Sequence, residues 1–178
     1  GATPRKDKPL GSAADEGRCA LWIASRGRFV RWIGLRSTPC AVAISHTGSG
    51  LLVYTADDAK DGHVLLVFSV NGRPLARAPT LQQSPLGQLV CTRDGENVVC
   101  SEGELIVVRR LEALEVVHSY RVQDTDGVPA AAAVSALALC PFNHHAFVAT
   151  DDGGVLIYAN PILNIILLEI IAGELLNL

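Results

Sequence analysis

The chain has 178 residues and a mass of 18.9 kDa, room for one ordinary domain. Hydrophobic residues make up 49% and charged residues 19%, which excludes wholesale disorder. A net charge of −3 excludes the strongly basic footprint of a nucleic-acid binder, so no nucleic-acid partner is expected.

Residues 1–18, rich in Gly, Ala, Pro, Lys, Asp and Ser, read as a flexible linker with no apolar stretch that could serve as a secretory signal. From Cys19 to Asn160 the pattern changes to short apolar runs broken by Gly, Asp, Asn and Pro. Strands are predicted at 20–24, 28–33, 40–45, 50–55, 63–70, 74–78, 87–92, 96–100, 104–109, 115–122, 134–139, 145–150 and 154–158. The runs are rich in Val, Ile, Leu and Ala, and nothing among them has the length and 3.6-residue period of a long helix. Pro161–Leu178 differs. Its Ile and Leu run is interrupted by Glu169 and Glu174, which gather with Gly173 and Asn177 on one side of a helical wheel. With Asn160 as N-cap and Pro161 at N1, an apolar α-helix packed on protein is predicted there.

Internal similarity organises the strands. One unit runs from Pro39 through Gly48 and Leu51–Thr55 to Val64–Ser69, the next from Leu86 through Gly95 and Asn97–Ser101 to Glu104–Arg109. The third runs from Val134 through Asn143 and Ala146–Thr150 to Val155–Tyr158. Each is strand, turn, strand, turn, strand, and the first turn closes on Gly48, Gly95 or Asn143, residues that tolerate φ > 0. The spacing of these positions, close to the period of a propeller blade, favours a propeller over a sandwich. The predicted fold is all-β, a partial β-propeller over 19–160. Its blades are drawn at 19–36 (partial), 37–80, 81–123 and 124–160, ahead of the helical tail 161–178.

The residues of the third unit resemble the WD repeats. Thr150, Asp152 and Gly153 stand in that family's Asp-Gly turn, and Tyr158 stands where its Trp closes the blade. The resemblance implies that Thr150 and Asp152 staple the blade. No Gly-His pair precedes the unit, and Ser101-Glu102-Gly103-Glu104 replaces the turn in the second unit, so the staple is partial. Ala43–Gly48 followed by Val67-Phe68-Ser69-Val70-Asn71-Gly72-Arg73-Pro74-Leu75 is similar to the C-terminal repeats of neurobeachin-type BEACH proteins. That likeness implies a scaffold in vesicle traffic or autophagy, cytoplasmic and peripheral on intracellular membranes.

The chain offers little catalytic chemistry. No phosphate-binding loop, nucleophile elbow or HExxH pattern occurs. His144-His145 lack a third ligand nearby, Asp57, Asp58 and Asp61 lack the Gly and Glu of a calcium loop, and Asp151-Asp152 read as a capping turn. The five cysteines, without a C-x-x-C pair, read as small buried hydrophobes in a reducing compartment. No catalytic residue, cofactor or metal is therefore expected. A propeller enzyme would need His, Asp or Arg projecting into the channel, where the strands offer Val, Leu, Ile and Ala.

Other proteins are the expected partners. The contact loops are placed at 56–63, 79–86 and 123–133, and the basic contacts at Arg26, Arg28, Arg109 and Arg110. Trp22, Phe29 and Trp32 read as packing of the partial first blade. A sequence that begins with Gly1 and has no Met is expected to be part of a larger parent chain, whose remainder would be another partner.

Overall fold

The computed structural model describes residues 17–56, 62–81, 85–122, 133–159 and 166–171. All strand pairing among them is antiparallel. The first sheet is a two-stranded ribbon, β1 (Arg18–Ile23) and β2 (Arg28–Gly34), joined through a single 3-10 turn at Ala24–Arg26. Three four-stranded sheets follow, each in simple sequential order. The second sheet holds β3 (Thr38–Ile44), β4 (Leu51–Ala56), β5 (His63–Phe68) and β6 (Pro74–Pro79). The third holds β7 (Leu86–Cys91), β8 (Asn97–Glu102), β9 (Leu105–Arg110) and β10 (Val116–Arg121). The fourth holds β11 (Val134–Leu139), β12 (His145–Thr150), β13 (Val155–Ala159) and β14 (Ile166–Ile171).

The thirteen strands predicted from the apolar runs are all present, 134–139 and 145–150 with the same ends and the others with ends within two residues. The helical tail is corrected. Among the described residues no α-helix occurs, and Ile166–Ile171 instead pairs antiparallel with β13, from Val155↔Ile171 to Ala159↔Ile166. Two physical terms outweigh the wheel pattern. The segment is rich in β-branched Ile, which favours strands, and the free edge of β13 offers it a ladder. The rest of 161–178 lies outside the described residues, as does the linker up to residue 16.

Apolar faces stack the sheets in a row. Ile33 and Leu35 of the ribbon pack on Leu51, Val53 and Phe68 of the second sheet. Leu52, Tyr54, Leu65 and Val67 of the second meet Val98, Cys100 and Val107 of the third. Val99, Ile106 and Val108 of the third meet Leu137, Ala146, Val148, Leu156 and Tyr158 of the fourth. Both faces of β8 are thus buried, which is why Asn97–Glu102 reads as an unbroken buried run rather than alternating. The leading strands β3, β7 and β11 lie beside one another, so the sheets radiate from their first strands.

One turn design recurs five times. The N–H of Gly48, Gly72, Gly95, Asn143 or Gly153 donates to the carbonyl of Ser45, Ser69, Thr92, Cys140 or Thr150, three residues earlier. The closing residue always has positive φ, from 59° at Asn143 to 91° at Gly153. The opening side chain takes a further backbone donor in three leading turns: Gly50 N to Ser45 Oγ at 3.0 Å, Asn97 N to Thr92 Oγ1 at 3.0 Å, and His145 N to Cys140 Sγ at 3.2 Å. Cys140 thus occupies a hydroxyl position of the repeat.

Candidate interaction surface

The leading turns of the three full sheets, at 45–50, 92–97 and 140–145, form one continuous end of the molecule. A Cβ built on Gly95 would lie 2.6 Å from Thr47 Oγ1, so only glycine allows these two turns to approach so closely. Arg93 N donates to Asn143 Oδ1 at 3.2 Å, and its guanidinium reaches the Pro141 carbonyl at 3.4 Å. That guanidinium also lies 5.6 Å from the centroid of the Phe142 ring, a cation–π contact. Phe142 is 71% exposed, with the His144 ring tilted beside it at 6.3 Å. An open cavity bordered by His46, Thr47, Arg93, Pro141 and Asn143 lies between these turns. A second, bordered by Ser49, Gly50, Glu96, Arg110 and Leu111, lies at the neighbouring turns. Sequence reasoning missed Arg93 and Phe142. The available signal was an aromatic held in the middle of a short turn, where no core can take it.

Of the expected basic contacts, Arg110 is exposed and borders the second cavity, and Arg26 and Arg28 are exposed at the tip of the ribbon. Arg109 is corrected: it is 2% exposed and cannot contact a partner. On the face of the third sheet toward the second, Glu102 and Arg109 flank the Cys100–Val107 pair. Arg109 Nε donates to Glu102 Oε1 at 3.0 Å and Nη2 to Oε2 at 3.3 Å. Arg109 Nη1 also donates to the Leu114 carbonyl and Nη2 to the Pro79 carbonyl, each at 3.1 Å. Leu81 N donates to Glu102 as well. The pair thereby fastens the end of β6 to the third sheet, where the Asp-Gly turn is missing.

Trp22, Phe29 and Trp32 are also corrected. They are 56%, 39% and 59% exposed rather than packed inside. Alternation alone would put Phe29 and Trp32 on opposite faces of β2, but a bulge opposite Leu21/Trp22 shifts the register. Trp22 then pairs with Phe29, and the rings contact in series at 5.4 and 5.5 Å on one face. The other face carries Ile33 into the core and lets Arg31 donate to the Asn71 carbonyl.

Thr150, Asp152 and Gly153 form the turn between β12 and β13. The Thr150 hydroxyl donates to Asp152 Oδ1, Gly154 N donates to the same oxygen at 3.2 Å, and Gly153 takes φ 91°. The Thr150 hydroxyl first, and the Gly154 N–H second, hold the Asp152 carboxyl below its ordinary range. Tyr158 is buried in the core between the third and fourth sheets. Burial would raise the Cys140 thiol, but backbone N–H groups, led by that of His145, outweigh it and hold the thiol below its ordinary range. Burial pushes Cys91 up to about 11 and Cys100 well above the ordinary value. Tyr54 Oη lies 2.5 Å from His63 Nδ1 and accepts from Leu86 N at 3.1 Å, a second tie between the second and third sheets. Among the described residues no three His, Cys, Asp or Glu side chains gather to hold a metal. The expected contact loops, and Asp57, Asp58 and Asp61, lie largely outside the described residues.

Among solved structures, the β-propeller domain of Cps50 (Swd1) from Myceliophteria thermophila matches 73% of this chain, with a TM-score of 0.56 and 12% identity. At that identity the likeness establishes the fold, and the four-stranded sheets are propeller blades. The match covers 38% of the Cps50 domain, so the chain spans well under half of it. No family model matches the sequence, and no curated protein matches it.

Proposed function

We propose that the chain is a WD-repeat-type propeller segment that works as a non-catalytic protein-interaction scaffold. The observation that carries this reading is Phe142, exposed on a surface built from three interlocked turns and held there by Arg93. An aromatic beside an arginine is the composition of an interface hot spot. A ring fixed by a neighbouring sheet loses little conformational freedom when a partner covers it. The polar side chains around it are engaged in shaping turns, which favours binding over chemistry.

The likeness of 43–75 to neurobeachin-type BEACH repeats supports a finer reading, a scaffold in vesicle traffic or autophagy. It would act in the cytoplasm and peripherally on intracellular membranes, as part of a larger parent chain. Phe142→Ala and Arg93→Ala test the binding surface. Proteins retained by the immobilised chain from cytosol are compared with those retained by each variant, after circular dichroism shows that both fold. Loss of a trafficking adaptor from both variants is the expected result. Unchanged retention by both would remove this surface from the function.

A further inference from the structure

At the end that carries the tight turns, the second and third sheets part and leave a groove of about 390 Å³ between them. Neither sheet stands at an end of the row. The ribbon packs on the far side of the second, and the fourth sheet packs on the far side of the third. The stretches 57–61, 82–84 and 123–132, outside the described residues, join strands at the opposite end, because each sheet is an antiparallel meander. The stretch 160–165 joins strands of the fourth sheet. The groove is thus bounded by two sheets that each have a neighbour on both sides.

Its floor is open because residue 50 is glycine. Gly50 takes no left-handed φ, so the backbone does not require glycine there. A Cβ on it would lie 3.4 Å from Leu111 Cδ2 and 3.5 Å from Val67 Cγ1, ordinary contacts that would fill the floor rather than strain it. The third sheet has Asn97 in the equivalent position, donating its N–H to the turn hydroxyl as Gly50 does, and that side chain is 6% exposed. A bulge opposite Val67/Phe68 leaves Leu75 unpaired on β6 and 47% exposed, as one wall of the groove. Alternation on β9 directs Val107, Arg109 and Leu111 toward the second sheet and Arg110 to the opposite face. The acidic groups at the groove are Glu96, whose carbonyl accepts from Leu111 N at 2.8 Å, and Glu112, the residue after Leu111. Both are exposed, and neither carboxylate has a hydrogen bond or ion pair among the described residues. One turn of a helix with its side chains occupies roughly 500 Å³, so what enters this cavity is a side chain and not a helix.

We propose that this groove binds an extended segment of a partner protein, seating one aliphatic side chain between Leu75 and Leu111 and holding flanking lysine or arginine against Glu96 and Glu112. The apolar floor selects the aliphatic group, and the two carboxylates select the positive charge beside it. An acidic or phosphorylated segment would meet like charge here. The site goes beyond the scaffold reading above, since neither Phe142 nor Arg93 borders it.

Fluorescence anisotropy of the capped, fluorescein-labelled heptapeptide Gly-Ser-Lys-Leu-Lys-Ser-Gly, titrated with the full chain, tests the site. Binding should weaken as salt screens the charges. It should fall about tenfold or more when serine replaces the peptide's leucine, the loss of one buried aliphatic side chain. Gly50→Val fills the floor and should weaken binding by a similar factor. Glu96→Lys with Glu112→Lys should lose the lysine peptide and bind instead the heptapeptide whose two lysines are exchanged for glutamates. Should Gly50→Val fail to fold by circular dichroism, Leu75→Ala takes its place, at a side chain already half exposed. No binding by the unaltered chain, equal binding of the serine peptide, or unchanged binding by the folded groove variant each overturns the proposal. So does a charge-reversed chain that keeps the lysine peptide. Phe142→Ala, folded and binding the peptide as the unaltered chain does, would support a site apart from the turn surface. Loss of peptide binding in that variant would count against the groove.

Discussion

The Glu102–Arg109 pair is the point at which one substitution should do most damage. Arg109→Met keeps the aliphatic stem and removes the charge. Glu102 is left with the Leu81 N–H and the Cys100 thiol, and the carbonyls of Pro79 and Leu114 lose their donor. Removing one partner of a buried pair costs about 3–5 kcal/mol, because the other charge remains in a medium that cannot solvate it. A domain has roughly 5–15 kcal/mol in all, so this substitution brings the chain near unfolding at room temperature. Glu102→Leu should cost a similar amount by stranding the guanidinium. The double variant Glu102→Leu/Arg109→Met has no buried charge and leaves only neutral backbone groups without partners. It should therefore lie below the sum of the single losses by about 2 kcal/mol, within the range of contacting pairs. Urea unfolding followed by far-UV circular dichroism measures all three variants. Additivity to within about 0.5 kcal/mol would mean that the residues are uncoupled. A cost for Arg109→Met below about 1 kcal/mol, the size of a surface pair, would refute the reasoning directly.

Four other outcomes are expected. Gly95→Ala and Gly48→Ala both impose a left-handed backbone on an L-residue, worth about 1–2 kcal/mol. Only Gly95 also meets a neighbour, Thr47 Oγ1 at 2.6 Å, so its variant should have the lower melting temperature, and the reverse order would count against the interlocked turns. Cys140→Ser keeps an acceptor for His145 N, whereas Cys140→Ala leaves that donor unmet at about 1 kcal/mol. In the folded chain at neutral pH, iodoacetamide should label Cys140 ahead of Cys91 and Cys100, as read by peptide mass spectrometry. The folded pKa of Asp152 is depressed, so its stabilisation is present above the unfolded value and lost as pH falls through the folded one. The stability advantage over Asp152→Asn, measured by urea titration, should accordingly shrink with acidification below the ordinary carboxylate range. An advantage that grows on acidification would contradict the Thr150 hydrogen bond.

The strands were legible because each apolar run is short and ends on a residue suited to a turn, and Gly48, Gly95 and Asn143 mark the repeat by their tolerance of positive φ. The tail was not legible for an energetic reason. Ile165, Ile166, Ile170 and Ile171 fit either a helical wheel or a strand, and the decision rests with the edge of β13, a partner many residues away from much of the ladder. The ribbon failed differently. A bulge moves Phe29 and Trp32 onto one face, and strict alternation has no means of signalling that shift. The charges of the third sheet fall between these cases. Glu102 and Arg109 sit at the ends of apolar strands, where a charge ordinarily reaches solvent, and only the packing of the second sheet over that face turns them inward. For Glu102 and Arg109 the outcome is governed by what covers a sheet face. A propeller decides that by the neighbouring blade rather than by the strand itself.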